Sequence, residues 1–178
     1  MSYYLNLETP LQVIPQKFTE WITTEVCEDG LLEEIDQVCN TYRTEGPVLS
    51  HEIWIRKEDW TVPDEQIYSL GDGRGTIVYP FTVAIIVDMI DEETSEQKAL
   101  QLQAKTIMAL FKNFSRNIFD DPNDGWINTF KLDTGYNDGS LDALNREDDV
   151  IIKGFHVTFE IEVDWLNCVR KQENENGG

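Results

Sequence analysis

Hydrophobic positions along the chain follow two periods. Phe18, Trp21, Ile22 and Val26 recur at helical spacing, and after Asp29-Gly30 the spacing returns in Leu31, Leu32, Ile35, Val38, Cys39 and Tyr42. The pattern predicts helix through the first 45 residues, with 1–30 as an N-terminal helical extension. Pro10 and Pro15 break its start, and Glu45-Gly46-Pro47 ends it, because glycine permits a left-handed cap and proline cannot continue the helix. From Val48 to Lys57 the period falls to two: His51, Ile53 and Ile55 alternate with Glu52, Trp54 and Arg56, as in a strand. Glu58 to Gly75 reads as a long loop in which Trp60, Ile67 and Tyr68 need covering.

Thr76 to Ile90 is the strongest strand. Phe81, Val83, Ile85, Val87 and Met89 share one face, and Thr82, Ala84, Ile86, Asp88 and Ile90 the other; both faces are apolar enough to predict a central, doubly covered strand. Pro80 argues against that place, since it lacks a ladder donor. Thr94 and Gln97 stand at capping-box spacing before the longest helix, whose stripe of Leu100, Ala104, Ile107, Phe111, Phe114 and Ile118 predicts its buried face. Asp120 to Gly125 closes it as a turn. Trp126 to Asp133 reads as a weak strand, and Thr134 to Asp149 as a polar loop. In Val150 to Leu166, Phe155, Val157, Phe159, Ile161, Val163 and Trp165 oppose His156, Thr158, Glu160, Glu162 and Asp164. The whole predicts one α+β domain over 1–170, a mainly antiparallel sheet of about four strands with the long helix packed on one face, and a mobile tail over 171–178.

Charge changes this picture more than composition does. Asp plus Glu number 34 and Lys plus Arg 14, a net charge of −20. Phosphate backbones and anionic membranes repel such a chain at long range, so specific nucleic-acid grip is disfavoured, whereas a surface that DNA must slide past is served well. No apolar run approaches the ~20 residues that span a bilayer, and Met1 to Pro15 lacks the basic start of a leader, which predicts an unprocessed intracellular product. Cys27, Cys39 and Cys168 are odd in number and form no CxxC pair, so a disulfide framework is not expected.

Candidate chemistry fails its context tests. Gly71, Gly73 and Gly75 look like a phosphate loop, but no lysine follows and the next element is a strand, where a phosphate cradle needs a helix N-terminus. Placing Gly125 sixth in a calcium loop puts Pro122 third and Lys131 twelfth, where a glutamate must chelate. His51 and His156 lack the spacing of a zinc site. The row Glu160, Glu162 and Asp164 is a solvated or assembly-facing face before it is a catalytic pair. Neither an enzyme nor a cofactor is expected.

The order of elements carries a resemblance. An aromatic-led strand, Tyr79-Pro-Phe-Thr-Val-Ala-Ile-Ile-Val-Asp88, leads through an acidic turn to a long amphipathic helix from Glu96, then a Trp-containing strand and the alternating strand Phe155 to Val163. From Leu31 to Leu166 this resembles the tail-terminator, or tail-completion, proteins of tailed bacteriophages. The segment before Leu31 and the long loop 58–75 depart from a minimal member. The resemblance implies a structural virion protein made in the host cytoplasm, forming a ring, commonly six-fold, that caps the tail tube at the head–tail junction. Its implied partners are its own copies, the tube protein, a neck or head-completion protein and the sheath, with DNA passing through unbound. Trp54, Trp60, Ile67, Tyr68 and Trp126 are then interface candidates, and Glu160, Glu162 and Asp164 candidates for an acidic lumen. Another neck or minor tail protein is the alternative within the class; an acidic DNA mimic that inhibits a host protein is the alternative outside it.

Overall fold

The computed structural model describes residues 10–40, 51–63, 74–88, 91–118, 125–134 and 150–164. In chain order these form α1 (Pro10–Thr23), β1 (Gln37–Cys39), β2 (His51–Lys57), β3 (Arg74–Asp88), α2 (Glu92–Asn113), β4 (Gly125–Asp133) and β5 (Val150–Asp164). The architecture is α+β: one five-stranded sheet in the order β1-β2-β3-β5-β4, antiparallel except for the β1–β2 pair. Both helices supply buried residues to the face that bears Phe81, Val83, Phe155 and Phe159.

The prolines do not break α1. Pro10 occupies its first position, where a missing N–H costs nothing, and Pro15 lies inside it. Pro15 cannot donate to the Leu11 carbonyl, and the Tyr79 hydroxyl, 3.4 Å away, donates to that carbonyl instead. Burial, then the nearby Asp59 charge, holds the Tyr79 phenol above its ordinary pKa, so it keeps this proton. α1 seats Ile14, Phe18 and Ile22 in the core, with Phe18 stacked on Phe81 at 4.5 Å.

The expected second helix from Leu31 is replaced by turns and β1. Asp29 has φ of 66°, and a Cβ at Gly30 would stand 2.2 Å from the Glu25 carbonyl oxygen, so the chain reverses where a side chain cannot follow. Leu32 and Ile35 still reach the core, because helical spacing over so few residues fixes which side chains are buried and not the backbone between them. Asp36 then clamps His51: its amide donates to the His51 carbonyl and its carboxylate accepts from the His51 amide, both at 2.9 Å.

β3 is central, between β2 and β5, and Phe81 to Val87 are buried on both faces. Pro80 fits because N–H and C=O of one strand residue point to the same side. Its carbonyl, which accepts from the Glu58 amide, marks the side of β2, whose ladder ends at Lys57 opposite Phe81. The missing donor therefore faces a place where no ladder bond is needed. The start of the loop expected over 58–75 runs beside β3, bridged through Thr61 and Val78, and Gly75 belongs to β3 itself.

α2 departs most from its sequence pattern. Asp91 is its cap, accepting from the Thr94 amide at 3.0 Å, so Thr94 stands inside the first turn. The buried face is Ser95, Ala99, Leu102, Thr106, Ala109 and Leu110, while Leu100, Ala104 and Phe111 of the expected stripe lie outside. Small inward side chains let the helix approach a sheet that already carries Phe81, Phe155 and Phe159, and larger ones would overpack it. Phe114 and Ile118 do pack inward, beyond the helix end; Phe114 stacks on Phe159 and contacts Trp21.

Candidate assembly surfaces

Glu25 joins the N-terminal segment to α2. Its side chain is buried, yet its carboxylate accepts from the Asn113 amide at 2.9 Å, from the Lys112 ammonium at 2.9–3.0 Å and from the Leu31 amide at 3.3 Å. Those bonds outweigh burial and hold its pKa at about 2, against an ordinary 4.5. Two turns apart along α2, Lys98 and Lys105 both pair with Glu34, the latter at 2.6 Å. The lysine row of α2 is thereby spent inside the subunit.

The sheet face away from the helices has two parts. Near β1, Cys39, Trp54, Ala84 and Ile86 form a second apolar cluster. Trp54 is fully buried there and its indole N–H donates to buried Glu52 at 2.6 Å, so this candidate belongs to the subunit interior. At the other end the strand registers assemble a different surface. Glu162 stands between Thr76 of β3 and Trp126 of β4, Glu160 between Val78 and Thr129, and Asp164 opposite Arg74. Trp126, 41% exposed, and the acidic row therefore share one face, although the sequence offered them as separate candidates. A register shift between Ile127 and Thr129 keeps Ile127 and Phe130 inward on either side of Asn128. Glu160 is exposed and Glu162 half-buried. Trp60 is exposed at 43% beside the Thr61–Val78 bridge. Ile67 and Tyr68 lie outside the described residues, as does the tail 171–178.

The histidines are apart: His51 opens β2, and His156 on β5 has both ring nitrogens 3.4 Å from the Thr82 hydroxyl. Among the described residues no three His, Cys, Asp or Glu side chains gather as a metal ion would require, and no helix is long and apolar enough to cross a membrane. Cys27 is exposed and Cys39 buried.

A further surface was missed by periodicity. Leu100, Met108 and Phe111 are 48%, 57% and 54% exposed on the outer side of α2, with exposed Ala104 between them. The signal was present as two apolar stripes on one helix, and only the sheet's bulk decides which turns inward.

No protein-family model matches the sequence, and no curated protein matches it. Among solved structures, the fold is similar to the sheath/tube terminator of an extracellular contractile injection system, PVC, determined by cryo-EM in the extended state. The TM-score is 0.51 at 11% identity, over 89% of this chain and 58% of that one. The likeness is one of fold, and the chain spans little more than half the length of the protein it matches.

Proposed function

We propose that this chain is a structural tail terminator: a subunit of a ring, six-fold in a tail of that symmetry, that caps the tail tube and offers the surface on which the next part of the particle is built. The observation that carries this reading is the fold shared with a sheath/tube terminator over 89% of the chain. The exposed Trp126 and Trp60 support it, since aromatic anchors dominate protein interfaces. So does the open outer edge of β4, which among the described residues pairs with no strand beyond the short Asn117 bridge and can take up a neighbour's backbone. In this assignment the partners are further copies of the chain, the tube protein, the sheath and, in a phage, a neck or head-completion protein at the head–tail junction. Glu160, Glu162 and Asp164 line the lumen, where like charge lets DNA pass without adhering.

The net charge of −20 also favours a second reading, an acidic mimic of DNA that occupies a basic host protein. Purified protein, with and without isolated tail tubes, separates the two by light scattering and negative-stain imaging. Rings, or density capping tube ends, are expected. A protein that leaves tube ends bare and instead binds a DNA-binding host protein in competition with DNA defeats the terminator assignment.

A further inference from the structure

The outer face of α2 carries an inference that does not depend on the terminator assignment. Leu100, Ala104, Met108 and Phe111 lie within about 80° of arc and span roughly 16 Å of helix. Together they expose on the order of 350 Å² of apolar surface, the size of the central apolar part of a standard interface and not of its whole. Phe111 is held edge-on against Phe130 of β4 at 5.1 Å, so it is presented as a fixed anchor.

We propose that this face binds a second copy of the chain, α2 against α2 in antiparallel orientation about a two-fold axis. The stripe is complementary to itself in that direction. With the axis passing near position 106, Leu100 meets Phe111 of the other copy and small Ala104 meets Met108, so each large side chain faces a smaller or flexible one. The charges agree as well. Glu93 stands at the N-terminal end of the helix and Arg116 just beyond the other, so the antiparallel arrangement places an acidic end against a basic one and opposes the two helix dipoles. A parallel pair would put like against like.

The overall charge of the chain does not prevent this contact. Lys98, Lys105 and Lys112 border the stripe, the first two sharing Glu34 and the third paired with Glu25, so this rim sets three ammonium groups against two carboxylates on an otherwise acidic protein. Gln97 and Gln101 add no charge, and Glu96 on the other border is paired with Lys153 of the same chain. Repulsion between the remaining acids acts at distances where salt screens it. A contact of this kind closes at two copies, so it is a state of the free subunit and not the contact that builds a ring.

The test is sedimentation velocity of the full chain from about 1 µM to about 200 µM. A reversible monomer–dimer equilibrium is expected, with Met108→Glu and Ala104→Glu each weakening it roughly tenfold or more while the circular dichroism spectrum is unchanged; both positions are exposed, so neither change burdens the fold. Orientation is read by cross-linking in a Cys27→Ser, Cys168→Ser background. A mixture of the Ala104→Cys and Met108→Cys proteins should give a disulfide-linked heterodimer. A monomer throughout, an oligomer indifferent to both glutamates, or a bond formed faster by Ala104→Cys alone overturns the proposal. Rings or capped tubes formed by the Met108→Glu protein leave the terminator assignment intact while testing this contact separately.

Discussion

Replacing Glu25 by Gln tests whether a single buried carboxylate fastens α2 to the N-terminal segment. The carboxylate's pKa lies at about 2 in the folded protein against 4.5 for the ordinary group, chiefly through the Asn113 bond and then the Lys112 bond. That difference corresponds to about 3 kcal/mol favouring the folded state when the group is ionised. The folded value is the lower one, so the stabilisation is fully present above pH 4.5 and is lost as the pH falls towards 2; at pH 3 about half of it remains. Lys112 is largely solvated, so its share is screened and the working expectation for Glu25→Gln at pH 7 is about 2 kcal/mol. Urea denaturation of both proteins at pH 7, 5, 4 and 3 measures the gap directly. All other acids titrate in both proteins, so they cancel in the difference. The gap should be constant from pH 7 to 5 and shrink by about half at pH 3. A gap that keeps its size down to pH 3 would refute the assignment of that energy to ionised Glu25.

Gly30→Ala should cost more than any surface change, on the order of 3 kcal/mol, because the new methyl meets the backbone oxygen of Glu25 at 2.2 Å and no side chain can yield; thermal denaturation reads it. Trp54→Phe removes the indole donor to buried Glu52 and should cost about 1–3 kcal/mol by the same measurement, and an unchanged melting curve would show that Glu52 does not need that bond. Trp126→Glu should leave the melting temperature within a degree or two, since the side chain is solvent-facing, but abolish capping of tube ends in the imaging assay. Reversing Glu160 and Glu162 to Lys should slow or trap DNA passage in a particle that carries a genome, while leaving ring formation intact.

Strands were legible where their faces differ in only one way. β5 alternates without exception from Phe155 to Val163, and the structure places those residues inward over the whole run. β3 was legible for the opposite reason, because apolar residues on both faces leave only a central position. The N-terminal segment misled because Leu31 to Tyr42 has helical spacing without helical length to spare. The decisive features are a left-handed Asp29, a glycine pressed against a carbonyl and an Asp36 clamp on His51, and all three depend on chain neighbours that spacing does not encode. Pro15 misled for a related reason: a proline ends a helix when its orphaned carbonyl has no other donor, and here Tyr79, 64 residues further on, supplies one.

The candidate surfaces were harder to read than the core, and the reason is physical. A helix buries whichever face fits the space above the sheet, and residue type alone does not report that space. On α2 the expected stripe was the more hydrophobic of two, and its Ile107, Phe114 and Ile118 do pack against the core. Yet the aromatic crowd of Phe18, Phe81, Phe159 and Phe114 takes small Ala99, Thr106 and Ala109 beside Leu102 and Leu110 in place of Leu100 and Phe111. The larger residues are then turned to solvent by the packing of their own subunit. An interface built this way uses the same amino acids as a core and the same period as a core, and differs only in being the face the sheet declined. Trp54 and Trp126 show the converse: both stand on the sheet face away from the helices, and only the presence of Cys39, Ala84 and Ile86 around the one makes it interior, while the other stays open beside Glu162. What separates an open tryptophan from a buried one in this protein is therefore the volume left by its neighbours, which is set by strand register and not by the side chain itself.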